Sequence, residues 1–318
     1  MRALVTGALG FVGRHLVTHL LASGDDVTVV DRRGDRPIDI LDAEAVRATM
    51  AEVRPEAVYH LAGWADVGAS WNDPGGVLRS NAEGTLHVLE ACRRASVRRV
   101  LSVASADVYG IVTEADLPLT EESPMRPTSP YAASKVAADA LAYQAFLGHG
   151  LGVLRVRPFN HLGPGQSENF VAPALAARIA RAERDSLDEI PVGNLTPRRD
   201  VTDVRDVARA YRLLMEHGTP GEVYNVCSGR DLAIQELADK LVGLAKRPIS
   251  LTPDPTLERP IDLPVLRGDA SKLHAATGWE PEIPIEQTLV DLLEDLRTRV
   301  RNEALAASAH QPTTMETP

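Results

Sequence analysis

Thr6-Gly7-Ala8-Leu9-Gly10-Phe11-Val12-Gly13 stands between a short apolar run, Ala3-Leu4-Val5-Thr6, and a stretch from Phe11 to Ala22 with apolar residues at Val12, Leu16, Leu20 and Leu21. A GxxGxxG loop wedged between a strand and a helix restricts the possible folds more than any other feature of this chain. One small residue lets the chain turn tightly, a second lets backbone approach a pyrophosphate, and a third lets helix pack on strand. The helix N-terminus then offers N–H groups to the anion. Read as structure alone, the loop is a tight βα turn. What favours a ligand is the next strand, Val27-Thr28-Val29-Val30, which ends at Asp31, a carboxylate suited to the two hydroxyls of an adenine ribose. Asp31 repels a 2′-phosphate and argues for NAD. Arg32 and Arg33 follow directly and are suited to clamp that phosphate, so NADP stays open.

The alternation continues. Ala43 to Glu52 reads as a helix, 57–62 as a third strand, Gly76 to Ala95 as a long helix and 99–104 as a fourth strand. A Pro-rich stretch leads to a helix from Tyr131 to Leu147, and 152–156 reads as a fifth strand. Repeated βα units of this length imply a parallel sheet with helices on both faces. From Pro158 the pattern changes to helices near 170–184, 204–217 and 231–245, with one clear strand, Val223-Tyr224-Asn225-Val226. The expected organisation is a dinucleotide-binding domain over 1–160, a smaller lobe over 161–302 with segments returning to the first domain, and a frayed, disordered tail over 303–318.

Composition narrows the function classes. The 318 residues fit one large domain or two small ones. The net charge of −10 makes non-specific nucleic-acid binding a poor fit, because that binding neutralises phosphates. No apolar run reaches the ~18–20 residues of a membrane span. The first residues lack the uninterrupted apolar core of a signal peptide, since three glycines break it and Arg14 and His15 follow. Cys92 and Cys227 belong to no CxxC or Cys/His cluster, so no metal is expected and the thiols read as reduced and cytoplasmic.

Tyr131 and Lys135 stand at i and i+4 of one helix, one βα unit after a strand that ends near Ser105. A neighbouring ammonium favours a phenolate. Lys135 and a positively charged nicotinamide ring are together expected to lower the tyrosine pKa from ~10 by ~2–3 units. A phenol so tuned donates or accepts a proton near neutral pH. By itself YxxxK is common on helix surfaces; its place in the unit order gives it weight.

The glycine loop, Asp31, His60-Leu61-Ala62, Asn81 with Gly84-Thr85, Ser105 through Tyr109-Gly110, and YxxxK together resemble the extended short-chain dehydrogenase/reductases, over about residues 1–300. The run from Arg157 to Gln166 is similar to the branch of GDP-mannose 4,6-dehydratases and GDP-4-keto-6-deoxy-mannose reductases. So are 192–195, Arg199-Asp200, 202–206, 223–229 and Arg259-Pro260. The resemblance implies a Rossmann-type doubly wound α/β sheet with a smaller C-terminal substrate-binding lobe. It assigns Tyr131 as acid/base, Lys135 to the nicotinamide ribose and Ser105 to the sugar oxygen. It places Gly7, Gly10, Phe11, Val12 and Gly13 against the dinucleotide, with Asp31, Arg32, Asp39 and Ile40. Leu61, Ala62, Gly63, Asn81 and Pro158 complete that set. Asn160, Val171, Arg199 and Arg259 are implied for the sugar nucleotide, the arginines through bidentate pairing with phosphate. His60 and His161 are read as structural.

Asp107 stands where dehydratases of this branch carry a Glu that takes the sugar C5 proton. Its carboxylate is one methylene shorter. Two readings stand, a loop carboxylate capping a backbone N–H and a catalytic base. This departure and the short 32–42 segment favour a 4-keto reductase. A 4,6-dehydratase or epimerase, and a dinucleotide-holding redox sensor, are the competing functions. A homodimer through the helices near 76–95 and 131–147 is expected from the family.

Overall fold

The structure is a computed structural model that describes residues 1–34, 37–257 and 263–309. In chain order the first elements are β1 (Arg2–Thr6), α1 (Phe11–Ala22), β2 (Asp26–Val30), α2 (Ala43–Val53), β3 (Ala57–His60), α3 (Pro74–Leu78), α4 (Gly84–Arg94), β4 (Arg99–Val103), α5 (Pro130–His149) and β5 (Val153–Pro158). There follow β6 (Asn160–Leu162), α6 (Val171–Asp185), β7 (Glu189–Val192), β8 (Arg198–Asp203), α7 (Val204–His217), β9 (Val223–Val226), β10 (Asp231–Ala233) and α8 (Ile234–Gly243). The last are β11 (Ser250–Pro253), β12 (Val265–Leu266), α9 (Ser271–Thr277) and α10 (Ile285–Ala309).

The chain forms two compact units. The larger comprises Met1–His161, Pro197–Ala233 and Arg259–Pro284. Among its described residues six parallel strands pair in the order β2-β1-β3-β4-β5-β9. All but the edge strand β2 are buried on both faces, so successive residues feed opposite layers. Ala3, Val5, Tyr59, Leu101 and Leu154 pack with Leu16 and Leu20 of α1, Tyr211 and Leu214 of α7, and Trp279. Leu4, Val58, Val100 and Val153 pack with Val46 and Met50 of α2, Val88 of α4 and Ala142 of α5. The order reverses at β1, whose neighbours β2 and β3 lie on opposite sides. In such sheets ligands bind outside the carboxyl ends of the strands at that point.

The expected helix over 76–95 is instead α3, a π turn at Arg79–Glu83 and α4. One extra residue in the turn leaves the apolar period nearly intact, so the sequence pattern does not reveal it. In the second half the sequence pattern offered β9 alone. The structure adds β8, paired with β10 and β12. Strand β8, RRDVTD, carries four charged residues, yet its last four positions are buried. Asp200 Oδ1 accepts from Ser228 N and Oγ at 2.7 and 2.6 Å, and Oδ2 from Gly229 N and Gly268 N at 2.9 and 3.2 Å. Burial lifts the Asp200 carboxyl to about 6 while these four donors pull it back.

The smaller unit comprises Leu162–Thr196, Ile234–Glu258 and Ile285–Pro318. Helices α6, α8 and α10 bury Leu175, Ile179, Leu237, Leu241, Leu292 and Leu296, and β7 pairs with β11. Arg297 of α10 grips Glu183 of α6. Residues 303–309, expected to belong to a frayed tail, are instead the last turns of α10, which runs on to Ala309. Ala and Leu dominate residues 304–309, and both favour helix. Residues 310–318 lie outside the described ones.

Candidate active site

Gly7 has φ +68°, and a Cβ there would lie 2.7 Å from the backbone N of Ala62. A Cβ on Gly13 would lie 2.2 Å from the carbonyl oxygen of Gly7. These two contacts show why the loop takes glycine: backbone passes over backbone with no room for a side chain. Gly10 opens α1 without any side-chain cap, which leaves the first-turn amides at Phe11, Val12 and Gly13 for an anion. Asp31 leans over this loop. Its Oδ2 accepts from Leu9 N at 3.0 Å and its Oδ1 from Arg33 N at 3.1 Å. The Arg33 guanidinium lies 3.4 Å from Oδ1 and donates to Leu9 O at 3.1 Å, while Arg32 is exposed. A pyrophosphate over bare backbone with a ribose at Asp31 fits this cradle. A dinucleotide is therefore the group these residues suit.

The remaining residues expected at the dinucleotide lie on the same unit. Asp39 Oδ1 accepts from Leu41 N at 2.9 Å, and the Ile40 carbonyl from His87 Nδ1 at 3.0 Å. Leu61 N donates to Thr6 O at 3.2 Å, and Ala62 and Gly63 continue that strand end. Buried Asn81 sits in the π turn. Its Oδ1 accepts from Trp64 N at 2.7 Å and its Nδ2 donates to Trp64 O at 3.2 Å and Ser134 Oγ at 2.8 Å. Pro158 ends β5 in register with Val226.

Ser129 caps α5 through Ala132 N, Pro130 follows with its ring suited to the first turn, and Tyr131 and Lys135 fall on the buried side. The Lys135 ammonium lies 5.9 Å from the Tyr131 ring centroid and donates to Val103 O at 2.9 Å. Burial lowers Lys135 to about 8. Tyr131 departs from expectation. Its pKa is raised, by burial first and then by the charge of Asp107, with a hydrogen bond from Ser105 opposing. A phenolate here loses its water and faces a carboxylate, and both oppose the lowering expected from Lys135 and the nicotinamide charge. Ser105 and Asp107 belong to one tight turn: Ser105 Oγ accepts from Asp107 N at 3.2 Å. The group so built is a phenol that keeps its proton near neutral pH.

Asn160 is exposed on β6, and His161 next to it stacks on Phe11 at 5.9 Å between ring centroids. Arg199 donates to Leu263 O at 2.6 Å and Arg198 O at 2.9 Å. Val171 opens α6 in the smaller unit and is exposed. Arg259 lies outside the described residues. The sequence reading gave Thr6 and Thr85 no role beyond their motifs and passed over Ser134; each of the three has a partner distant in sequence, Thr6 and Thr85 in His60 and Ser134 in Asn81.

The sequence model of the NAD dependent epimerase/dehydratase family matches residues 3–227. The chain belongs to that family. Among curated proteins it is 40% identical to a GDP-6-deoxy-D-mannose reductase of Pseudomonas aeruginosa, over 95% of this chain and 99% of the relative. It is 25% identical to a GDP-mannose 4,6-dehydratase of Vibrio cholerae, over 97% of each. Among solved structures, the Pseudomonas aeruginosa protein RMD complexed with NADPH superimposes with a TM-score of 0.86 at 38% identity, covering 94% of this chain and all of that one. The UDP-glucose 4-epimerase of Thermus thermophilus complexed with NAD gives 0.85 at 31%, covering 93% and 99%. This is the Rossmann-type architecture of dinucleotide-dependent enzymes, and the family's cofactor is NAD or NADP. No helix among the described residues is long and apolar enough to cross a membrane.

Proposed function

We propose that this chain reduces the C4 carbonyl of a nucleotide-activated 4-keto-6-deoxy sugar, GDP-4-keto-6-deoxy-mannose, with NADH or NADPH as reductant. The observation that carries the reading is 40% identity to the reductase across essentially both chains, against 25% to the dehydratase. The bound nicotinamide supplies the hydride. Tyr131, held as a phenol, gives its proton to the sugar O4 as C4 is reduced, so one hydride and one proton turn the ketone into a secondary alcohol. Ser105 donates to the same oxygen, and Lys135 holds the ribose and replenishes positive charge beside Tyr131. Burial keeps Tyr131 protonated, the Asp107 charge only adds to that, and Asp107 takes no C–H proton. Asn160, Val171, Arg199 and Arg259 hold the sugar nucleotide.

The test uses one variant and two substrates. The reductase should keep most of its kcat on the 4-keto sugar as Asp107→Asn. A dehydratase would lose ~10²–10⁴ of its rate on GDP-mannose in the same variant. Wild-type dehydration of GDP-mannose that Asp107→Asn abolishes overturns the reading. NADH oxidation on adding the 4-keto sugar excludes a sensor without turnover.

The working form in this reading is a cytoplasmic homodimer. Both cysteines are free and buried, which suits a reducing compartment. Leu78 and Leu86, with Tyr143 and Leu147 of α5, are exposed at 51%, 45%, 42% and 64%. Ala133 and Ala140 add an exposed apolar stripe to α5. Such a face suits burial against its own copy. Sedimentation should give a dimer for the wild type and a monomer for Leu147→Glu.

A further inference from the structure

Buried His60 lies between two threonines. Its Nδ1 is 2.8 Å from Thr6 Oγ1 and its Nε2 is 3.0 Å from Thr85 Oγ1. The Thr85 hydroxyl donates its one hydrogen to Asn81 O at 2.6 Å, because a carbonyl only accepts. Thr85 must therefore accept from His60, and the hydrogen of a neutral ring sits on Nε2. Nδ1 is then an acceptor, so the Thr6 hydroxyl donates to it. Thr6 Oγ1 in turn accepts from Ala62 N at 3.2 Å. Every hydrogen in the line has one place, and the line runs one way, from Ala62 through Thr6, His60 and Thr85 to Asn81. Burial, helped by the Lys135 charge, pushes His60 down to about 3, which keeps the ring neutral as the line requires.

The line ends on the π turn, and the turn leads to Tyr131. Ser134 spends its hydroxyl hydrogen on Tyr131 O at 2.7 Å, so it accepts from Asn81 Nδ2. That direction fixes the Asn81 amide, whose Oδ1 takes Trp64 N.

We infer that His60 is a positioning residue: as a neutral ring donating at Nε2 and accepting at Nδ1, it locks the Asn81 turn and through Ser134 the backbone of Tyr131. Its effect on turnover rests on the reduction proposed above; its effect on the turn and on Tyr131 does not.

The test compares His60→Leu, Thr85→Val and the double variant with the wild type. Each single variant should lose ~10–100-fold in kcat with KM changed less than ~3-fold, since small misplacement of a reacting group is severe. The double variant should lose no more than the worse single one, because both cut the same line. A fall in Tm with kcat unchanged, or losses that multiply, overturns the inference. Thr85→Val exchanges only a hydroxyl for a methyl and keeps the test alive if His60→Leu does not fold. Two readouts need no sugar. Nitrogen-15 spectra should show His60 protonated at Nε2, and a ring protonated at Nδ1 overturns the inference. Amide exchange over 79–86 and 131–135 should rise in Thr85→Val, and unchanged exchange overturns it. If the wild type fails on the 4-keto sugar while these two hold, only the function reading falls.

Discussion

The glycine loop and the Tyr131 pocket sit on one sheet and are built in opposite ways. The loop recognises charge with backbone: Gly7 and Gly13 admit no side chain, and the start of α1 carries no side-chain cap. The pocket is made of titratable side chains taken out of water. There Tyr131 is pushed up, Lys135 down to about 8 and His60 down to about 3, each first by burial. Amides do not titrate, so the loop's hold on the pyrophosphate does not depend on their protonation. Turnover in the pocket does depend on protonation.

The largest expected effect separates the two regions outright. Tyr131→Phe should lose ~10²–10⁴ in kcat while NAD(P)H fluorescence titration gives an unaltered Kd. A Kd that moves as far as kcat breaks the comparison. Gly13→Ala should do the reverse. Its Cβ meets backbone at 2.2 Å, an overpacking of ~1–3 kcal/mol, so Kd should weaken by ~5–150-fold with the rate of the bound enzyme little changed. A pH series sharpens the contrast. As Lys135 loses its proton, kcat/KM should fall about tenfold per unit above about 8, a larger change than in the dinucleotide Kd, to which Lys135 adds only its ribose contact.

The smallest effect concerns stability. A lysine at about 8 in the fold and 10.5 outside it binds its proton less well when folded. It is therefore destabilising at pH 7, and that loss is recovered as pH rises from about 8 to 10.5. Lys135→Met should be inactive and raise Tm at pH 7 by a few degrees, a gap that closes toward pH 10. A variant less stable than wild type at every pH would show that the bond to Val103 outweighs burial.

Legibility follows the same division. Strand β1 reads as a strand because both its faces bury apolar side chains, and Phe11–Ala22 was readable to the residue because Gly10 and Ser23 bound it. Strand β8 was not readable. Three of its four buried positions are Asp200, Thr202 and Asp203; the partners of Asp200 come from residues 228, 229 and 268, and those of Asp203 from α7. Hydropathy pattern carries no sign of a carboxylate that backbone amides will satisfy. The π turn escaped for a related reason: its contacts, Asn81 with Trp64 and Ser134 and Thr85 with His60, come from other segments of the chain.

The sequence by itself determined the βα alternation, the phosphate cradle and the spacing that puts Tyr131 and Lys135 on one helix face, because each depends on residues within a turn or two of one another. The tertiary structure alone decided the state of those residues. Whether Tyr131 is a proton donor or a ready phenolate depends on how much water remains around it and on a carboxylate 24 residues away in the chain, at Asp107. Spacing in sequence fixes which groups can meet along a helix, but desolvation and the charges that other segments bring fix the proton.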